Sequence, residues 1–218
     1  MTPRLSCIMP TANRRRFVPA AIAQFIAQGR DDAELLILDD GTDPVGDLVP
    51  PDPRLRYFRE AAGRSLGDKR NRLCELARGE IIVHWDDDDW HAPDRLERQL
   101  AALEQSRAAV CGCDRLLFLA DDRSAAWEFV YTGRKPWLAG GTLCYRRTAW
   151  AARRFPALRC GEDTQWIHAA PRSALHAMPD NRFYVARVHG GNTSPKQTQG
   201  AWWHPREPAA VVALGGAD

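Results

Sequence analysis

Apolar positions in the first half of the chain follow two alternating patterns. Short unbroken apolar runs fall at 5–9 (LSCIM), 34–40 (ELLILDD), 54–58 (RLRYF) and 80–85 (EIIVHW), each of strand length. Between them lie stretches with helical spacing. In 16–28 (RFVPAAIAQFIAQ), Val18, Ile22, Phe25 and Ile26 share one helical face. In 65–77 (SLGDKRNRLCELA), Leu66, Leu73 and Leu76 form the stripe, and Gly79 marks the stop. Residues 93–106 (PDRLERQLAALEQS) predict a helix opened by Pro93, because the first helical turn has no use for the missing N–H. The order strand, helix, strand, strand, helix, strand, helix predicts an α/β sheet that is at least partly parallel.

The second half is less regular. AVCGCDRLLFLADD (109–122) and WEFVY (127–131) read as strands. GGTLCYRRTAW (140–150) joins a glycine pair to a strand and a helix start, and GEDTQWIHAA (161–170) puts acids in the first turn of a short helix. RFYVARVHGGNTS (182–194) is a strand running into a loop. KQTQGAWWHPREP (196–208), polar and with tryptophans that read as exposed, is expected to be a mobile or lid segment.

Composition narrows the class. A hydrophobic fraction of 44% supports one real core. The net charge of +2, with arginines scattered rather than blocked, argues against nucleic acid as a partner. No run approaches the length of a membrane span, and the N-terminal stretch lacks the apolar core of a signal peptide. The chain therefore reads as cytoplasmic, with peripheral contact at the inner face of the membrane left open. The six cysteines sit mostly in apolar runs and read as buried, reduced thiols. CGC at 111–113 has no second matching pair, so zinc is not expected.

The chemistry concentrates at strand ends. HWDDDDW (84–90) sets Asp86, Asp87, Asp88 and Asp89 in a row, where each raises the pKa of the next. A divalent cation would relieve that repulsion and use the carboxylates as hard oxygen ligands. An EF-hand loop fails because His91 stands where glycine is needed, and an aspartyl-phosphate enzyme is disfavoured by Trp90. A solvated acidic loop at the start of the helix is the plain alternative. In open α/β sheets ligands bind beyond the carboxyl ends of the strands. IMPTANR delivers Thr11, Asn13 and Arg14 to that rim, and LLILDDGT delivers Asp39 and Asp40. Asp39, Asp40 and Gly41 alone would make a turn; beside the Asp run, Asp40 becomes a candidate for a nucleobase or ribose. Lys69 and Arg70, near a helix start, suit a diphosphate. Glu162 and Asp163, near Trp166, offer a general base, and His189 ends a strand before two glycines.

In this order the segments resemble family 2 glycosyltransferases with the GT-A fold. The resemblance runs over about residues 4–194, and HWDDDDW preceded by ARGEIIV is its most specific part. It implies a mixed, mostly parallel central sheet in one domain over 1–200. Residues 1–114 would form the nucleotide-sugar half, 115–200 the acceptor and base half, and 201–218 a C-terminal tail. It also implies a nucleoside-diphosphate-sugar donor, UDP-sugar favoured, Mn²⁺ or Mg²⁺, inversion at the anomeric carbon and an unidentified hydroxyl acceptor. By similarity, Pro10, Thr11, Arg14 and Asp40 line the nucleoside pocket with Asp39 beside them, and Lys69 and Arg70 lie near the phosphates. Asp86 and Asp88 match the Asp-any-Asp motif. Asp88 is expected on the metal, Asp86 or Asp87 on the ribose or a metal-bound water, and His189 as a third ligand. Asp163 matches the base, with Glu162 beside it, and Gly141 lies in the floor of the sugar site. From its length the chain is expected to lack the extra helices or domains that often hold acceptors. A nucleotidyltransferase would carry glycine in its phosphate loop, and PTANRRR has none. A nucleotide-sugar-binding module without catalysis remains the third reading.

Overall fold

The computed structural model of the chain describes residues 3–214. The first half alternates as the apolar pattern predicts: β1 (Leu5–Thr11), α1 (Val18–Ile26), β2 (Ala33–Asp39), β3 (Leu55–Arg59), α2 (Leu66–Leu76) and β4 (Ile81–His84). A two-residue strand, β5 (Trp90–His91), precedes α3 (Arg95–Ser106). Then come β6 (Val110–Gly112), β7 (Arg115–Ala120), β8 (Ala126–Val130), β9 (Cys144–Arg146), α4 (Arg147–Ala152) and α5 (Glu162–His168). The chain continues through β10 (Leu175–Ala177), β11 (Tyr184–Val188), β12 (Trp203–Arg206) and α6 (Pro208–Val212).

Seven strands form the central sheet in the order β10-β6-β9-β4-β1-β2-β3. It is mixed and mostly parallel, with β9 antiparallel to both of its neighbours. All seven residues of β1 and of β2 are buried, because helices cover both faces. That is why these strands read as unbroken apolar runs. Leu35 and Ile37 join the core under α1 and α3, while Leu36 and Leu38 join the core under α2 and α5. The chain steps outward from β1 to β3, then returns to lay β4 on the other side of β1. This reversal opens a crevice between the carboxyl ends of β1 and β4, the place where such sheets bind ligands.

Two helical faces differ from their predicted stripes. Val18, Ala21, Ile22 and Phe25 form the buried face of α1, and Ile26 lies beside it, 37% exposed. On α2, Leu73 and Cys74 are buried, Leu66 and Leu76 only partly so, and Lys69 and Arg70 are also buried. The inward face of α2 thus carries cations toward the crevice.

A second, five-stranded sheet has the order β12-β8-β7-β11-β5. Its edge strand corrects the expectation of a mobile tail: Trp203–Arg206 pairs antiparallel with β8. Val211 of α6 packs with Leu117, Ala126 and Val185. All six cysteines are free thiols; five are buried and Cys160 is exposed. Among the described residues no helix is long and apolar enough to cross a membrane.

Candidate active site

The four aspartates after β4 divide by direction. Trp85 anchors the start of their loop, donating from its indole N–H to the Ala21 carbonyl at 3.0 Å and stacking on His91. Asp87 turns back to β1 and accepts the Thr11 hydroxyl at 2.5 Å. Burial, with Asp88 adding its charge, pushes the Asp87 carboxyl up to about 7. Asp89 turns toward β11, accepting the Tyr184 hydroxyl and the Arg187 backbone N–H at 2.7 Å. Burial, then Asp88, raises the Asp89 carboxyl as well. Asp87 and Asp89 therefore tie the loop to the two sheets, and Asp86 and Asp88 are left with side chains 25% and 12% exposed.

Asp88 Oδ2 gathers three partners. Arg14 Nη1 lies at 2.6 Å, His189 Nε2 at 2.8 Å and Asn192 Nδ2 at 3.5 Å. Arg14 also donates to the Gly191 carbonyl at 2.5 Å, which folds the loop after β11 over the aspartate. The Gly191 N–H reaches His189 Nδ1 at 3.1 Å, leaving the ring proton on Nε2, facing Asp88. Asp86 turns elsewhere: its Oδ1 lies 3.3 Å from Arg70 Nη2. Of the three expected metal ligands, the structure brings Asp88 and His189 together and not Asp86. Among the described residues no three His, Cys, Asp or Glu side chains form a metal-holding group. Asp88 and His189 still fit Mn²⁺ or Mg²⁺ by donor chemistry, since such ions use one or two protein ligands and take the rest from phosphate oxygens and water.

Arg70 joins the Asp loop to α5. Buried almost completely, it donates to Glu162 Oε1 at 2.9 Å and contacts His84 Nδ1 at 2.7 Å. Burial pulls its pKa down, but Asp86, Glu162 and Asp163 outweigh that and raise it. Glu162 is thus committed inward, and burial pushes its carboxyl up against the pull of Arg70. Asp163, next in the helix, is partly exposed and lines the cleft. The glycine pair makes room for these groups. A Cβ on Gly140 would collide with the Asp163 carboxylate, and one on Gly141 would collide with the Tyr184 hydroxyl and come within 2.8 Å of Asp86 Oδ2.

The other expected residues lie farther back. Pro10, Arg14 and Gly141 line the cleft, which has a volume of about 360 Å³. Lys69 Nζ pairs with Asp40 Oδ1 at 2.7 Å behind β1, both groups buried. Asp39 is fully buried and spends its carboxylate on the 41–45 turn and Tyr57. It accepts from Gly41 N at 2.8 Å, Val45 N at 3.0 Å and the Tyr57 hydroxyl at 2.9 Å. Thr11, Asp39, Asp40 and Lys69 brace the crevice from behind rather than lining it.

One residue central to the floor has no motif in the sequence. Arg95, at the start of α3, is fully buried and donates to the carbonyls of His84 at 2.7 Å and Gly141 at 2.8 Å. Its Nε donates to Gln99 at 2.9 Å, and its guanidinium packs on the rings of Trp85 and Tyr184. Among the described residues no carboxylate pairs with it, and burial pulls its pKa down. The one signal in the sequence is position: Arg95 and Gln99 fall on the same face of α3 as Leu96, Leu100 and Leu103.

Comparison with known proteins agrees with this geometry. The Glycosyl transferase family 2 profile matches residues 6–160. A Rickettsia felis protein named as an uncharacterized glycosyltransferase is 35% identical over 213 residues, covering 88% of this chain and 34% of its own length. A Haemophilus influenzae protein of the same description is 29% identical over 109 residues, covering 48% of this chain and 44% of its own. The chain thus spans about a third to just over a half of the length of these and similar curated relatives. Among solved structures, S. aureus TarS 1–349 in complex with UDP-GlcNAc superposes with a TM-score of 0.67 at 18% identity, covering 87% of this chain and 60% of that one. Mannosyltransferase PcManGT from Pyrobaculum calidifontis, in complex with GDP-Man and Mn²⁺, gives 0.67 at 21% identity, covering 90% and 59%. These likenesses establish the GT-A fold. Since the profile runs unbroken from β1 to the loop before α5, across the Asp run and the glycine pair, the chain belongs to glycosyl transferase family 2.

Proposed function

We propose that the chain transfers a sugar from a nucleoside-diphosphate sugar, UDP-sugar favoured, to an acceptor hydroxyl, with inversion at the anomeric carbon. One observation carries the reading: a single cleft holds Asp163 on α5 and, from the loop after β4, Asp86 and Asp88. A displacement with inversion needs a base on one side of the sugar and positive charge at the leaving diphosphate on the other. Asp163 is the base. It takes the acceptor proton as the acceptor oxygen bonds to the anomeric carbon, and the nucleoside diphosphate leaves with the electron pair of the broken C–O bond. Arg14, always charged and at the Asp88 side, orients the diphosphate. Asp88 and His189 would hold Mn²⁺ or Mg²⁺, which supplies positive charge to the departing diphosphate when bound. His189 offers Nε2 to a cation only with its proton moved to Nδ1, the atom that Gly191 now contacts. Asp40 with Lys69 sets the nucleoside end, and Glu162 with Arg70 fixes the helix that carries the base.

The ligands of the two structural neighbours, UDP-GlcNAc in one and GDP-Man with Mn²⁺ in the other, support a nucleotide-sugar donor without choosing the nucleoside. A thermal-shift screen of UDP- and GDP-sugars with and without Mn²⁺ makes that choice. A stabilisation that requires both a nucleotide sugar and the metal is the expected result, because a ligand that binds only the folded state raises the melting temperature. No stabilisation by any of them would overturn the reading.

A further inference from the structure

Donor chemistry leaves the far wall of the cleft unexplained. Beyond the charged rim the cleft continues into a second cavity of about 430 Å³, and the two share Phe129, Ser194, Lys196 and Trp203. The pairing of β12 with β8 sets Trp203 opposite Phe129. Phe129 then lies 5.1 Å from Trp203, 5.7 Å from Trp202 and 5.2 Å from Trp137, ring centre to ring centre. These rings are not sealed in the core: Trp202 is 39% exposed, and the other three are only partly buried. A contiguous aromatic surface left open to water forfeits favourable burial, and on a soluble domain it marks a binding surface.

The rest of the lining says what binds there. Ser194, Gln197 and Gln199 bring hydroxyl and amide groups to the same cavity. A pyranose ring has an apolar C–H face with slight positive charge, which packs on the negative face of an aromatic ring, and a rim of hydroxyls that needs both donors and acceptors. An alkyl chain would use the rings and leave the amides without a role. Asp163 lines the first cavity and not the second. Trp202 lines the second cavity alone, so a ring stacked on Trp202 is not the ring that meets the base.

We propose that the second cavity is an acceptor subsite for a pyranose, and that the acceptor is a saccharide of at least two units. One unit stacks on Trp202, with Trp203 and Phe129 closing the edge of its site, and the next presents its hydroxyl to Asp163. The assignment rests on the glycosyltransferase reading above and adds the acceptor class to it.

Saturation-transfer NMR on the whole chain tests this with maltose, cellobiose, lactose and N,N′-diacetylchitobiose as probes, and octyl phosphate as the lipid-like competitor. Saturation of pyranose ring protons in at least one disaccharide is expected, stronger than in its methyl monosaccharide. Trp202→Ala, shown folded by circular dichroism, should weaken that signal about tenfold, and Trp202→Phe should retain most of it. Saturation confined to the octyl chain, equal signals in Trp202→Ala and parent, or no pyranose signal at all would each overturn the subsite. Disaccharide saturation together with no nucleotide-dependent thermal shift would keep the saccharide site and remove the transferase reading. A thermal shift without saturation would remove the subsite alone.

Discussion

Arg70 Nε lies 2.9 Å from Glu162 Oε1, a buried ion pair that locks α2 to the first turn of α5. The same guanidinium reaches Asp86, so the loop after β4 and the helix carrying Asp163 share one fixed point. The spacing between the Asp loop and α5 is thereby set by one buried arginine.

The pair has a signed pH signature. Burial, opposed by Arg70, holds the Glu162 carboxyl above its ordinary 4.5. A carboxyl raised in the folded state binds more protons there than in the unfolded chain. Its contribution to stability is full below about 4.5 and is lost as pH rises through the raised folded value. Glu162→Gln should therefore come closest to, or exceed, the parent in stability at the higher pH. Urea unfolding of both proteins at pH 5 and pH 7.5 measures it. A variant that falls further behind as pH rises would contradict the sign.

The two glycines of the floor should fail differently. Gly140→Ala places a methyl against the end of the Asp163 side chain, which can swing away. Stability should hold within about 1 kcal/mol while turnover falls roughly a hundredfold, the scale of a misplaced general base. Gly141→Ala meets the Tyr184 hydroxyl, which is buried and bonded to Asp89. It should cost about 1–3 kcal/mol of stability, as overpacking does. Thermal melts and donor turnover on both variants separate the two effects.

Arg95→Ala should destabilise the fold by about 3 kcal/mol or more, because it opens a cavity and leaves the His84 and Gly141 carbonyls without their donor. Arg95→Met fills most of the volume and should cost less. Chemical denaturation of the two variants gives the comparison; equal losses would mean that volume does not matter at this site.

Asp88→Asn should weaken Mn²⁺ binding by about a hundredfold or more, whereas Asp86→Asn, whose carboxylate faces Arg70, should weaken it by less than about tenfold. Calorimetric titration of Mn²⁺ in the presence of the nucleoside diphosphate reads both, and the reverse ranking would move the metal to Asp86.

The central sheet was legible because β1, β2 and β4 are buried on both faces, so their sequences are apolar runs, and those of β2 and β4 lead into acids. The Asp run was legible as a site for the same reason: it directly follows such a strand. Which acid does what was not legible. The run lies in a turn, where direction follows no sequence period, and only the positions of Thr11 and Tyr184 show that Asp87 and Asp89 are ties. Asp39 was expected beside Asp40 at the nucleoside pocket, yet its carboxylate holds the 41–45 turn and Tyr57. β10 of the central sheet and β5 of the second sheet escaped because they are only three and two residues long, too short for a periodic pattern and held by pairing with distant strands. Trp203–Arg206 reads as a loop because it contains Pro205; as an edge strand it tolerates proline. Arg95 gave no signal beyond its place on an apolar face, since a buried arginine serving two carbonyls has no local spacing rule.

The division of roles between Asp163 and Asp88 is tested most directly by Asp163→Asn. Donor turnover, read as release of nucleoside diphosphate in the presence of acceptor, should fall about a hundred- to ten-thousandfold, the range for loss of a positioned base. The metal- and nucleotide-dependent thermal shift of the same variant should remain. Turnover within about threefold of the parent, with that shift intact, would contradict Asp163 as the base.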